Sequence, residues 1–122
     1  ITYQIPDKTI QINTIIDDID LDIEKLMSIG LILNEILSNA FKYAFNTSNS
    51  GSIDIFLHKI NDNLIEFMVK DSGKGISIEI IDTESNSLGM KLIKAFSDKL
   101  QATLSIGNVN GTIYKFTFDP QR

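Results

Sequence analysis

Glu35, Asn39 and Lys42 follow one another at intervals of four and three residues in the segment LILNEILSNAFKYAF, Leu31 to Phe45. Wound as an α-helix, this spacing sets a carboxylate, an amide and an ammonium, with Asn46 beyond them, within roughly a quarter-turn of one another and Tyr43 at the margin. Leu33, Ile36, Leu37, Ala40, Phe41 and Ala44 collect on the opposite side, where they can meet a core. An amide oxygen is a hard-metal ligand and an ammonium meets phosphate charge, so the stripe holds the groups a magnesium–polyphosphate complex needs. Asparagine is a poor mid-helix residue because its side chain competes for backbone hydrogen bonds, and Asn39 therefore asks for a reason. A polar stripe opposite an apolar one is also what any surface helix shows, so other residues must decide.

Three further patterns bear on that decision. Asp71-Ser72-Gly73-Lys74-Gly75-Ile76 stands where a strand gives way to a loop. Glycines there let the backbone approach a flat or charged ligand, and an aspartate at a strand end can accept a hydrogen bond from an exocyclic amine. The pattern is neither the phosphate loop GxxxxGK[ST], nor the dinucleotide fingerprint GxGxxG, nor a calcium loop. Ser87-Leu88-Gly89-Met90-Lys91 opens a helical pattern, and a glycine near a helix N-terminus lets phosphate oxygens reach unpaired backbone N–H groups. It also reads as an ordinary helix start with Ser87 as its cap. Gly111-Thr112 places a hydroxyl just after a turn, where it can support the aspartate or a water.

The elements that must position these residues can be read from periodicity. Thr9 to Ile16 alternates as a strand, and Ile19, Leu21 and Ile23 alternating with Asp18, Asp20 and Asp22 predict a short half-buried strand with an acidic outer face. A helix is expected from about Glu24 to Phe45, then a loop over Asn46–Gly51. Ser52–Ile60 and Leu64–Lys70 predict a hairpin across Asn61-Asp62-Asn63, and Ala102–Ile106 and Thr112–Phe118 another across Asn110-Gly111. Between the hairpins lie a loop, Asp71 to Ser87, and a helix over Leu88–Leu100. The expected architecture is α+β: a two-layer sandwich with a mixed, mostly antiparallel sheet and helices on one face.

With 122 residues, 43% hydrophobic and 22% charged, the chain suits one domain with a single core. It has no cysteine, which excludes disulfides and thiolate metal sites. No apolar run approaches a membrane span, and the net charge of −5 argues against nucleic acid as the main partner. The sole histidine, His58, reads as a surface residue beside Asp54 on the polar face of its strand.

Taken in order, N-E-x-x-x-N-A-x-K-Y-A-F, D-S-G-K-G-I, S-L-G-M-K-L-I and G-T-x-Y-x-F-x-F resemble the ATP-binding catalytic domain of sensor histidine kinases, within the superfamily shared with gyrase, heat-shock chaperone and mismatch-repair ATPases. The lead-in I-D-D-I-D-L-D-I-E is similar to the subgroup with the second type of histidine-kinase dimerisation domain and a short lid. The resemblance covers about residues 9 to 119. It implies the Bergerat-type ATPase fold, with ATP and Mg2+ as cofactors. It further implies transfer of the γ-phosphoryl group to a histidine on a separate, dimer-forming domain, and a response regulator downstream. No nucleic acid and no direct membrane contact are implied, and the setting is cytoplasmic.

Residue by residue, the resemblance implies that Asn39 ligates Mg2+, that Lys42 approaches the terminal phosphates and that Tyr43 packs near the nucleotide. Asp71 receives the adenine amine, with Gly73 and Gly75 shaping that pocket and Thr112 backing up Asp71. Ile76 and Leu88 are further nucleotide-binding positions, and Gly89 lies beside the phosphates. Glu35 and Lys42 are the catalytic candidates; Glu35 serves a histidine, a serine or a water. Three departures stand out: a single glycine, Gly89, opens the second helix; the lid from Ser77 to about Asn86 is short and has no phenylalanine anchor; and no phosphoacceptor histidine is present. The chain is therefore expected to be one catalytic domain, with residues 1–8 the remnant of a linker from an upstream phosphoacceptor domain. The alternatives are a serine kinase of the anti-sigma-factor class and a nucleotide-binding docking module without transfer.

Overall fold

The computed structural model describes residues 2–5, 8–44, 50–73, 88–108 and 110–122, and for 2–5, 8, 43 and 44 the backbone alone. Six strands form one sheet: β1 (Thr2–Ile5), β2 (Lys8–Ile16), β3 (Ser50–Asn61), β4 (Leu64–Asp71), β5 (Thr103–Gly107) and β6 (Ile113–Phe118), in the order β1-β2-β3-β4-β6-β5. Only β2 and β3 pair in parallel; the other neighbours are antiparallel. A parallel pair needs a crossover, and here α1 (Ile23–Asn39) supplies it. A second helix, α2 (Leu88–Lys99), lies between β4 and β5 in sequence and packs on α1.

Strict alternation makes one face of the sheet. In β4, Ile65, Phe67, Val69 and Asp71 are buried while Leu64, Glu66, Met68 and Lys70 are not. Ile53 and Ile55 of β3 and Tyr114, Phe116 and Phe118 of β6 line up beside them, and Phe67 stacks on Phe116 with centroids 5.6 Å apart. Ile32, Ile36 and Ala40 from the α1 side and Met90 and Ile93 of α2 close this core from above, so the two-layer sandwich expected from the pattern is the architecture found. Leu33, Leu37 and Phe41 pack at its margin.

Three expectations change. Residues 17–22 form no strand: their alternation marks an irregular lead-in whose Ile19 and Leu21 touch the core, and Asp22 caps α1 instead. Its carboxylate accepts from the Lys25 N–H at 2.9 Å and from the Lys25 ammonium at 2.8 Å, satisfying an N–H that has no partner within the helix. Ile23, read as inward, is 70% exposed. The first helix is not α-helical to Phe45, because the chain widens into a π-turn at Ala40–Ala44. Thr2–Ile5 pairs antiparallel with β2. His58 is half-buried rather than free on the surface: it stacks on Phe56 and lies 3.6 Å from Asp17, while Asp54 takes a hydrogen bond from Asn13.

Candidate functional site

The sequence-predicted residues fall into two clusters. The first is built at the end of β4, where the sheet delivers Asp71 into the interior with only 5% of its surface exposed. The Asp71 Oδ1 accepts from the Gly73 N–H at 2.9 Å and from the Thr112 N–H at 3.2 Å, and the Asp71 N–H donates to the Thr112 carbonyl at 2.9 Å. Among the described residues both donors converge on Oδ1. Burial pushes the Asp71 carboxyl above its ordinary value, while the N–H groups of Thr112 and Gly73 pull the other way. Thr112 is 1% exposed and its Oγ1 is buried with no hydrogen-bond partner among the described residues. A buried hydroxyl left without a partner is costly, and one beside a buried carboxylate suits a bound polar molecule or water.

Gly111 explains how this cluster closes. Its φ is +119°, and a Cβ there would fall 1.9 Å from the Asp71 carbonyl oxygen and 3.3 Å from Asp71 Oδ1. Only glycine lets the β5–β6 loop come down on the end of β4. Ser72 fastens the other side: its N–H donates to the Ser52 carbonyl at 3.0 Å, and its Oγ accepts the Ser52 N–H at 2.8 Å. Sequence reasoning did not assign this clamp, although serine beside a Gly turn is a residue that bonds nearby backbone.

The second cluster lies between the helices. A Cβ on Gly89 would stand 3.0 Å from Glu35 Oε2 and 3.7 Å from Asn39 Oδ1, so α2 begins directly against the polar stripe of α1. The π-turn starts one residue after Asn39, a place where such a widening often marks a functional site, and nothing in the sequence announces it. Lys42 is exposed within that turn and Leu88 is 74% exposed at the head of α2. Gly75, Ile76, the lid and the side chain of Tyr43 lie outside the described residues. No group of three or more His, Cys, Asp or Glu side chains that could hold a metal ion occurs among the described residues. A groove of about 420 Å3 between α2 and β5, lined by Lys94, Asp98, Leu104 and Ile106 among others, contains none of these residues. The first cluster holds buried Asp71 and Thr112, whereas Glu35 and Asn39 of the second are partly exposed.

These pieces are a buried aspartate with an unpartnered threonine hydroxyl, and an amide–carboxylate pair at the start of a helix. The family model of the histidine kinase-, DNA gyrase B-, and HSP90-like ATPases matches residues 24–122. The chain belongs to that family. The blue-light-activated histidine kinase 2 of Erythrobacter litoralis is 27% identical over 97 residues, covering 80% of this chain and 28% of that protein. The solved histidine kinase domain of a blue-light-activated kinase from the same organism superposes with a TM-score of 0.84 at 26% identity, over 92% of this chain and 52% of that one. The histidine kinase AdeS of Acinetobacter baumannii shares the fold, with a TM-score of 0.74 at 18% identity, over 93% of this chain and 55% of that one. The chain thus spans about half or less of these relatives. The ATPase-type sandwich and the resemblance to a histidine-kinase catalytic domain both stand, and no described helix is long and apolar enough to cross a membrane.

Proposed function

We propose that this domain binds Mg-ATP and transfers its γ-phosphoryl group to a histidine carried by a separate domain, within two-component signalling. The observation that carries the reading is the Asp71 pocket. A carboxylate whose Oδ1 is saturated by two backbone donors has Oδ2 left to accept from an exocyclic amine, and the Thr112 hydroxyl beside it is in want of a partner. Adenine offers such an amine. The orphaned hydroxyl and the Gly111 contact, which leaves no room for a side chain, fit a flat ligand held edge-on against Asp71.

The second cluster suits the phosphates. Asn39 Oδ1 is a hard oxygen ligand for Mg2+, which binds through one or two protein ligands and keeps phosphate oxygens and waters for the rest. When bound, that ion would neutralise charge on the transferring group. Gly89 brings the N-terminal N–H groups of α2 close to the same point, where the helix dipole favours an anion. Lys42, solvent-facing in the π-turn, is free to swing to the terminal phosphate. Glu35 sits beside Asn39 and accepts the proton of the incoming imidazole as its nitrogen forms the N–P bond and the β–γ bridging P–O bond breaks, releasing ADP. Little covalent chemistry falls to the protein in such a transfer; position and electrostatics supply the rate.

The test is incubation of the full-length protein with γ-labelled ATP. Label that is acid-labile and stable to alkali, and that is lost on replacing the acceptor histidine, supports the reading. Acid-stable label on a serine of a partner protein would replace it with the serine-kinase alternative.

A further inference from the structure

Strand β4 ends in the same manner on both of its edges. In an antiparallel sheet the two residues of a hydrogen-bonded pair exchange both N–H···O=C bonds. One step beyond the Ile53↔Asp71 register sets Ser52 opposite Ser72, and one step beyond Lys70↔Ile113 sets Asp71 opposite Thr112. Each of these pairs makes half of the exchange through the backbone. The Ser72 N–H donates to the Ser52 carbonyl at 3.0 Å, and the Asp71 N–H donates to the Thr112 carbonyl at 2.9 Å. The returning donor goes to a side chain in both cases. The Ser52 N–H reaches Ser72 Oγ at 2.8 Å, and the Thr112 N–H reaches Asp71 Oδ1 at 3.2 Å. Two consecutive residues thus offer a side-chain oxygen where a continuing ladder would use their own carbonyls.

The substitution at Ser72 decides where Gly73 lies. Ser72 is the middle residue of a turn in which the Gly73 N–H donates back to Asp71 Oδ1 at 2.9 Å. Its N–H and its hydroxyl oxygen both tie it to Ser52, so its carbonyl is left out of the ladder and the chain can turn away from β3 there. Without the hydroxyl, the Ser52 N–H has two courses. It stays unpaired, at the cost of an unmade bond, or it takes the Ser72 carbonyl and lengthens β4 by one residue. The first leaves Ser72 on one tether instead of two; the second draws the Gly73 N–H off Asp71. Both free the carboxylate to rotate, and the division between a saturated Oδ1 and an open Oδ2 is lost. Ser72 is exposed, so removing its hydroxyl opens no cavity in the core.

Resting on the adenine reading of the Asp71 pocket, we propose that Ser72 is a positioning residue for nucleotide recognition. Its hydroxyl ends β4 on the β3 side and thereby holds the Gly73 N–H on Asp71 Oδ1, which leaves Oδ2 for the exocyclic amine. It acts through Asp71 and makes no contact with the ligand. Threonine, which carries the same Oγ, can do this; alanine cannot.

The experiment compares the isotope-labelled parent protein with Ser72→Ala and Ser72→Thr. One readout is the amide proton shift of Gly73 as Asp71 titrates, since an N–H bonded to a carboxylate senses its charge. The other is the Kd for Mg-ATP, for adenosine and for magnesium tripolyphosphate. In the parent and in Ser72→Thr the Gly73 shift is expected to follow the Asp71 titration. In Ser72→Ala that response is expected to fall by at least half. Adenosine and Mg-ATP should then bind about fivefold more weakly, the size of one hydrogen bond, while tripolyphosphate is unchanged. A merely structural role would weaken adenosine and tripolyphosphate together, and that result would overturn the proposal. So would an alanine variant with the parent's amide response or the parent's adenosine affinity, or a threonine variant that fails to restore both. In each of these cases the parent binds adenosine and the adenine reading stands. A parent protein that binds neither adenosine nor Mg-ATP overturns that reading, and the proposal with it.

Discussion

Replacing Gly111 by alanine is a severe test of how the Asp71 pocket is built. The added methyl would sit 1.9 Å from the Asp71 carbonyl oxygen and 2.9 Å from its carbon, both backbone atoms that cannot rotate away, and it would hold φ at +119°. Residues forced into such backbone regions cost about 1–3 kcal/mol, and overpacking a closed site costs about 1–3 kcal/mol more. The variant should therefore lose about 3–5 kcal/mol, close to a 15 °C fall in Tm for a domain of this size. Relief by moving the β5–β6 loop outward would break the Asp71–Thr112 bonds and with them nucleotide binding. Gly30→Ala is the internal control. It lies mid-helix with open space around it, and should gain about 0.5–1 kcal/mol from helix propensity. Thermal unfolding followed by far-ultraviolet circular dichroism, with and without Mg-ATP, measures both variants. A Gly111→Ala protein with unchanged Tm and unchanged ATP response would refute the close approach on which the pocket rests.

Two further predictions concern charge and metal. The raised pKa of Asp71 means that, from its ordinary value of 3.8 upward, the folded chain keeps a proton the unfolded chain has released. Stability therefore falls as pH rises through that window and levels off above the raised value. The difference in unfolding free energy between Asp71→Asn and the parent protein should grow in the variant's favour across it; a pH-independent difference in urea titrations would contradict the burial argument. Asn39→Ala should lose the stabilisation by Mg-ATP, which at a hundredfold excess over Kd is about 2.7 kcal/mol, while keeping the ligand-free Tm within a few degrees. Full retention of the shift would remove Asn39 from the metal site.

Much of the sandwich was legible because strand alternation in Leu64–Asp71 and the apolar side of α1 obey simple periods. Asn39 was legible for the opposite reason, as a residue that a helix interior disfavours. Asp18–Ile23 misled because an extended lead-in gives the same alternation as a strand, and the capping bond from Asp22 depends on where the helix begins. The π-turn at Ala40 has no local signature, since it depends on how α1 meets its neighbours. Gly111 was legible as a turn residue, but its contact with Asp71 joins positions 40 apart that pairing of β4 with β6 brings together. The exposure of Ile23, Leu26, Met27 and Leu31 on α1 was illegible for a related reason: leucine and isoleucine outside the buried stripe look like core until the core is seen to lie elsewhere.

The most direct test of the central claim is calorimetric titration of the 122-residue protein with Mg-ATP and with Mg-GTP. The account predicts saturable one-site binding of ATP and at least roughly 100-fold weaker binding of GTP, whose ring oxygen would face the Asp71 carboxylate acceptor to acceptor. Equal affinity for the two nucleotides, or no saturable heat with ATP, would contradict it.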